Sequence, residues 1–273
     1  MYSSATSQHV IGLRHVVSLA VDSSIKFLRA IVILLKVALH LTRAAWILVW
    51  CFPGWTDVQK KQLVQQVSRQ LLSVLSVRLR VNGGGLATGP VLIVCNHISW
   101  LDILVIFAVG QCRFVAKADV RGWPLIGRLT AGAGTLFIER NLRRDAMRVV
   151  HHMAQQLARG EVLVVFPEGT SSDGHAVLPF HANLLQAAIA SDCPIQPFAL
   201  SYFDGLTGSP SQAPAYCGQD SFIGSLWRTV RTPQLEVQLS AGPAQTAHGR
   251  DRRKWAANLR DEIIAMRKYH TPD

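Results

Sequence analysis

The chain has 273 residues, of which 49 % are hydrophobic and 16 % charged, and its 28 Lys and Arg against 17 Asp and Glu give a formal net charge of +11. That length suits one large domain, and the apolar content excludes a disordered or disulfide-stapled chain. A basic surplus on so apolar a chain points to an anionic membrane surface and away from nucleic acid.

The five Cys (51, 95, 112, 193 and 217) show no paired spacing. They read as reduced, mostly buried thiols of a cytoplasmic compartment, with no zinc site. Residues 1–24 form a polar N-terminal segment of low expected order, with no signal-peptide pattern. Ile25 to Phe52 is strongly apolar, but Lys26, Arg29, Lys36, His40 and Arg43 interrupt it. At about 100° per residue, Arg29, Lys36, His40 and Arg43 fall within a sector of roughly 60°. Trp46, Trp50 and Trp55 stand at the far end, where interfacial aromatics belong. The pattern predicts an amphipathic helix lying in a bilayer interface, with a tilted span and a core helix as alternatives. Asp57 to Leu75 continues in helical periodicity after Pro53-Gly54.

Val77 to Val81 alternates Arg with apolar residues and suits an edge strand, and Gly83 to Gly85 is a turn with no phosphate-loop continuation. Val91 to Cys95 reads as a buried strand, broken at Asn96-His97, with Ser99 as cap of a helix from Trp100 to Val109. Further strands are predicted at Cys112 to Ala116, Gly134 to Ile138, Val162 to Phe166, Pro194 to Ser201 and Leu235 to Leu239. Helices are predicted at Asn141 to Arg159, Phe180 to Ala190 and Arg250 to Lys268, and residues 204–221 as a loop. The alternation implies an α/β domain, a mostly parallel central sheet flanked by helices, behind an N-terminal membrane-associated two-helix element. The expected boundaries are 1–24, 25–75, 76–245 for the α/β domain, and 246–273 for a basic C-terminal helix.

Sites in such sheets gather beyond the carboxyl ends of strands. His97, Lys117, Glu139-Arg140 and Glu168 all stand there on this reading. A His with a carboxylate five positions on can be a general base and its orienter. Ser99-Trp-Leu-Asp102 equally matches a capping box, in which Asp102 closes a helix start, and the spacing is compatible with both roles. Arg140 can clamp a phosphate or be a solvated arginine; Lys117 can neutralise an anion or be exposed. No Gly-x-Ser-x-Gly elbow supplies an enzyme nucleophile, so a base alone implies attack by the substrate's own hydroxyl.

The set resembles the glycerolipid acyltransferase superfamily, of the 1-acylglycerol-3-phosphate acyltransferase type. Asn96-His97-Ile-Ser-Trp-Leu-Asp102 looks like the family's His-x-x-x-x-Asp motif. Gly134 to Arg140 (Gly-Thr-Leu-Phe-Ile-Glu-Arg) looks like its second block, Phe166 to Thr170 (Phe-Pro-Glu-Gly-Thr) its third, and Cys193 to Pro197 its fourth. Lys117 through Pro124 and Gly127 fits the intervening pattern. The resemblance implies that His97 deprotonates the acceptor hydroxyl, that Asp102 orients it, and that the oxygen attacks the thioester of acyl-CoA or acyl carrier protein. It further implies that Asn96, Lys117, Gly134, Thr135, Arg140, Glu168, Gly169 and Thr170 bind substrate. No metal or bound cofactor is implied. The expected partners are membrane lipids and acyl carrier protein, with no nucleic acid. The expected place is the cytoplasmic face of a bacterial inner membrane.

One position departs. Phosphatidate-forming members carry Arg after Phe-Pro-Glu-Gly-Thr, where this chain has Ser171, followed by Ser172-Asp173-Gly174. The family also includes acyltransferases of lyso-ornithine lipid, with which that continuation is compatible. Lysophosphatidate is the first expectation for the acceptor, and the aminolipid the second.

Overall fold

A computed structural model of the chain describes residues 4–51, 54–118, 122, 130–132, 134–138 and 143–267, with backbone alone for 4–23, 117, 138 and 143–146. Arg140, Trp123, Pro124 and Gly127 lie outside the described residues.

The elements in order are α1 (Ser4–Trp50), α2 (Asp57–Val74), β1 (Arg78–Gly83), β2 (Val91–Cys95), α3 (Leu101–Val109), β3 (Arg113–Lys117) and β4 (Leu136–Ile138). They continue with α4 (Arg143–Ala158), β5 (Val162–Val165), a 3-10 turn (Ala182–Leu185) leading into α5 (Gln186–Ala190), β6 (Ile195–Asp204), α6 (Phe222–Arg231), β7 (Leu235–Ala241) and α7 (Arg252–Arg267). The seven strands form one sheet in the order β1-β7-β6-β2-β5-β3-β4. The pairs are parallel except β6 with β7. The sheet is therefore mostly parallel, as the sequence implies, and β1 lies at its edge.

The central strands are buried on both faces, as helices on both sides require. Val91, Ile93 and Cys95 of β2 point into one apolar cluster, built with α1, α2, α3 and α6. Leu92 and Val94 point into the other, built with α4, α5 and α7. At about 25 cal/mol per Å² of apolar surface, these two layers are the main stabilising term.

α1 differs from its expected start. The helix begins at Ser4, so the polar segment 1–24 is mostly part of it. Ala30, Ile33, Val37 and Ala44 form a narrow buried seam at three-, four- and seven-residue spacing. Around that seam Phe27, Leu28, Leu35, Leu39, Trp46 and Trp50 remain exposed. The most apolar 18-residue window of Ser24–Trp50 has mean hydropathy 1.8, and only 11 % of it is buried in the protein. By length and composition it could cross a bilayer, as a tilted span would. α6, which the sequence reading did not place, supports α1: Phe27 packs edge-on against Trp227 at 5.6 Å. Ser221 caps α6 by accepting from the Gly224 N–H.

β7 runs against β6, so β1 and β7 run opposite to β2. The start of β1 and the end of β2 consequently share one edge of the sheet. That edge carries the candidate site.

Candidate active site

The site begins where β2 stops. Cys95 is the last paired residue, and Asn96 then turns its amide across to β6. The Asn96 Nδ2 donates to the Leu200 carbonyl (3.1 Å) and its Oδ1 accepts from the Leu200 N–H (2.8 Å). The side chain thus replaces the backbone pairing that the strand gives up, and both its polar atoms are used by the protein itself.

His97 comes next, and three contacts fix its position. Its Nδ1 lies 2.8 Å from Asp102 Oδ2. Phe166 stacks on its ring at 4.0 Å and 11°, with Phe114 behind Phe166 at 5.7 Å. Its own backbone N–H donates to Glu168 Oε1 at 2.6 Å. An ionised carboxylate only accepts, so Nδ1 carries the proton and Nε2 keeps its lone pair. Among the described residues Nε2 has no partner, and the side chain is 20 % exposed, so an incoming hydroxyl can reach it.

Asp102 is wholly buried and meets four donors. Oδ2 accepts from the Ile98 N–H (2.7 Å), the Ser99 N–H (2.9 Å) and His97; Oδ1 accepts from the Tyr202 hydroxyl (2.7 Å). The expected capping box is only half made. Asp102 accepts from the Ser99 N–H, but the Ser99 hydroxyl accepts from the Leu101 N–H and donates to the Pro214 carbonyl, and Trp100 is the N-cap of α3 with no side-chain cap. The Asp102 carboxylate thus meets both the helix start and the His97 ring. Burial, with the Asp102 charge alongside, pushes the Tyr202 hydroxyl well above its usual value, so it stays a donor.

Glu168 stands beside His97 because β5 runs in register with β2, Val165 opposite Val94. Its two oxygens are both engaged: Oε1 by His97 N–H and Oε2 by Leu178 N–H at 2.7 Å. Burial raises its pKa, against the two N–H donors, His97 and Arg267, which lower it. Gly169 makes the turn possible at φ 74, its N–H donating to the Phe166 carbonyl. Thr170 is exposed at the rim. The Ser172 N–H closes on the His97 carbonyl at 2.9 Å, and the Ser171 hydroxyl donates to the Tyr216 carbonyl.

The segment after this turn is held by α7. Arg260 Nη2 donates to the Val177 carbonyl at 2.7 Å and its Nε to Leu178 at 3.2 Å. Arg267, one heptad on, donates to the Gly174 carbonyl. Two arginines of a helix expected only to be basic thus secure the loop whose Leu178 N–H holds Glu168.

The register separates the remaining predicted residues. Lys117 ends β3 at the same edge as Glu168, opposite Ile138 of β4. Gly134 and Thr135 precede β4, at the opposite end of that strand and level with Arg113, whose side chain a Cβ on Gly134 would meet at 3.1 Å. They share a block with Arg140 in sequence but lie about one strand length from the dyad's edge. Gln196 of the fourth block is also architectural. Its amide donates to the Gly85 and Gly242 carbonyls and accepts from the Ala87 N–H.

Sequence reasoning did not find Tyr202, Phe166's stacking, Leu178 or the two arginines. Only Phe166 gave a signal, as the apolar residue opening the Pro-Glu-Gly turn. All five Cys are free. Cys95 lies under the site, but burial pushes its thiol far above the ordinary range, so it offers no thiolate. Among the described residues no Ser hydroxyl bonds the His97 ring, and no group of three His, Cys, Asp or Glu is placed to hold a metal ion.

Residues 56–201 match the family model described as Acyltransferase. A lyso-ornithine lipid O-acyltransferase of Pseudomonas aeruginosa is 34 % identical over 239 residues, 86 % of this chain and 91 % of that protein. A 1-acyl-sn-glycerol-3-phosphate acyltransferase of Neisseria meningitidis is 32 % identical, over 83 % of this chain and 92 % of that one. The fold matches the crystal structure of the 1-acyl-sn-glycerophosphate acyltransferase from Thermotoga maritima, with TM-score 0.67 at 17 % identity over 92 % of this chain and all of that one. With a His–Asp pair at a strand end and relatives of two acceptor types matched along most of their length, the chain belongs to the glycerolipid acyltransferase family and is an acyltransferase of lysophospholipid type.

Proposed function

We propose that the chain transfers a fatty acyl group from acyl-CoA or acyl carrier protein to the free hydroxyl of 1-acylglycerol-3-phosphate, giving phosphatidic acid. One observation carries the reading: His97 presents an unpartnered, solvent-reachable Nε2 while Nδ1 is tied to buried Asp102. Nε2 takes the acceptor's hydroxyl proton as its oxygen attacks the thioester carbonyl carbon. The tetrahedral centre collapses, the C–S bond breaks, and the imidazolium returns the proton to the leaving thiolate. Asp102 stabilises the imidazolium in between. The proposed reaction uses no metal and no bound cofactor. Lys117 and Arg140 are assigned to the acceptor's anionic head, Thr170 to the rim. Asn96 and Glu168 serve that site through the backbone they hold. The exposed apolar face of α1 and the acyltransferase relatives support membrane association, at the cytoplasmic side where both donors are found.

Ser171 favours a second reading, with lyso-ornithine lipid as acceptor. Its hydroxyl is taken by the Tyr216 carbonyl, and it brings no cation to the turn. An acceptor panel with labelled acyl-CoA and acyl carrier protein decides between them. Lysophosphatidate is expected to be acylated fastest; faster turnover of lyso-ornithine lipid establishes the second reading, and no transfer to any lysolipid refutes both. Ser171→Arg adds a guanidinium suited to phosphate. It should raise kcat/KM for lysophosphatidate relative to lyso-ornithine lipid by about tenfold, roughly one charge-assisted contact.

A further inference from the structure

A groove of about 590 Å³ separates α1 from the end of α2. It belongs neither to the dyad nor to the sheet core. Its polar side carries Arg29 and Lys36 from α1 and the hydroxyls of Ser73 and Ser76; Leu28 and Val32 are among its apolar lining. Arg29 and Lys36 are seven residues apart, two turns on one side of the helix and about 10 Å along its axis. Among the described residues neither meets a carboxylate, whereas Lys60 pairs with Asp57 and Lys61 with Glu161. Nor are they occupied by the last turn of α2: the Leu71, Leu72 and Ser73 carbonyls already accept from the Leu75, Val77 and Ser76 N–H groups. Two unspent cations over an apolar lining match the chemistry of an anionic amphiphile.

The position matches too. Ser76 precedes β1, and the start of β1 lies at the sheet edge that carries His97. Leu28 is 66 % exposed and continuous with the apolar outer face of α1. A chain lying along Leu28 and Val32 would therefore pass directly into the surrounding hydrocarbon.

We infer that this groove seats one anionic glycerophospholipid of the host leaflet, its phosphate between Arg29 and Lys36 and an acyl chain along Leu28 and Val32. The inference rests on the membrane association proposed above and assigns the basic stripe of α1 a definite ligand. It is separate from the acceptor at His97.

The full-length chain is floated with vesicles of phosphatidylcholine alone and of phosphatidylcholine mixed with phosphatidylglycerol. Arg29→Ala/Lys36→Ala should lower binding to the mixed vesicles about thirty-fold, the effect of two cations near an anionic surface. It should change binding to neutral vesicles less than about threefold, since no charge is met there. Arg253→Ala/Lys254→Ala removes equal charge from exposed residues at the start of α7 and should change neither by more than about threefold. In native mass spectrometry with dihexanoylphosphatidylglycerol, the wild type and the Arg253/Lys254 variant should each retain one lipid, and the Arg29/Lys36 variant none. Equal losses in the two double variants would mean a diffuse field without a seat, and overturn the inference. So would lipid retention by the Arg29/Lys36 variant, or displacement of the lipid by coenzyme A. Wild type that floats equally with both vesicles leaves membrane association standing and removes the groove. Wild type that floats with neither removes membrane association itself.

Discussion

His97→Ala should lower kcat/KM for acyl transfer by about 10³-fold or more, the range expected when a positioned general base is removed. That corresponds to about 4 kcal/mol of transition-state stabilisation. The fold should survive, because the structural bonds at this position are made by the backbone. The His97 N–H donates to Glu168 and its carbonyl accepts from Ser172, and an Ala keeps both. The ring contact with Phe166 and the Nδ1–Asp102 bond are lost, and Asp102 keeps its three other donors. Thermal unfolding and vesicle flotation should therefore stay near wild type while turnover vanishes. Asp102→Asn should behave differently. Four donors converge on that carboxylate, and an amide nitrogen cannot accept from any of them. A buried unsatisfied donor costs about 1–3 kcal/mol, so this variant should lose both activity and stability. Substantial turnover by His97→Ala would sink the general-base mechanism.

Glu168→Gln should lower kcat by about 10- to 100-fold, corresponding to about 1–3 kcal/mol for a lost acceptor. The glutamine keeps one oxygen for either the His97 or the Leu178 N–H, and leaves the other unpaired. KM for the thioester should change less, because Glu168 acts through the His97 backbone. A large rise in KM with kcat unchanged would instead make Glu168 a binding residue. Stability should also respond to pH in a defined direction. Burial raises the folded-state pKa of Glu168, so the folded chain holds this proton more tightly than the unfolded chain. Its contribution is fully present below the ordinary glutamate range and is lost as pH rises through the raised value. Over that window wild type should lose stability relative to Glu168→Gln as pH increases, measured by denaturant midpoints.

Legibility in the sequence depended on how local each feature is. His97 and Asp102 are five residues apart, and the strand and helix on either side of the break are strongly patterned, so their meeting could be read directly. The parallel strands were equally plain, because runs such as Val91 to Cys95 are buried on both faces. Tyr202 could not be read as part of the dyad, since its hydroxyl arrives from a strand 100 residues away. Arg260 and Arg267 looked like solvated charges on a basic helix, and only the packing of α7 turns them onto the 174–178 loop. Gly134 and Thr135 mislead in the opposite way. They adjoin Arg140 in sequence, yet a strand carries them to the far end from the dyad. α6 escaped because Phe222 to Arg231 mixes Gly, Ser, Trp and Arg in ten residues behind a long loop. The early start of α1 escaped because residues 1–24 lack the apolar density of residues 25–52.

The two arginines of α7 set the smallest unit that can be cut from this protein. The four sequence blocks end at Pro197, and the family match ends at residue 201. A fragment trimmed there would contain His97, Asp102 and Glu168 but lose Tyr202, which donates to Asp102. It would also lose β7, which is β1's neighbour in the sheet, and the helix that ties down the loop behind Glu168. Such a fragment would expose the edge of β6 and leave the 174–178 loop behind Glu168 untied. Expression boundaries and C-terminal fusions should therefore be chosen beyond Arg267, since the loop that holds Glu168 beside His97 is tied down by the C-terminal helix.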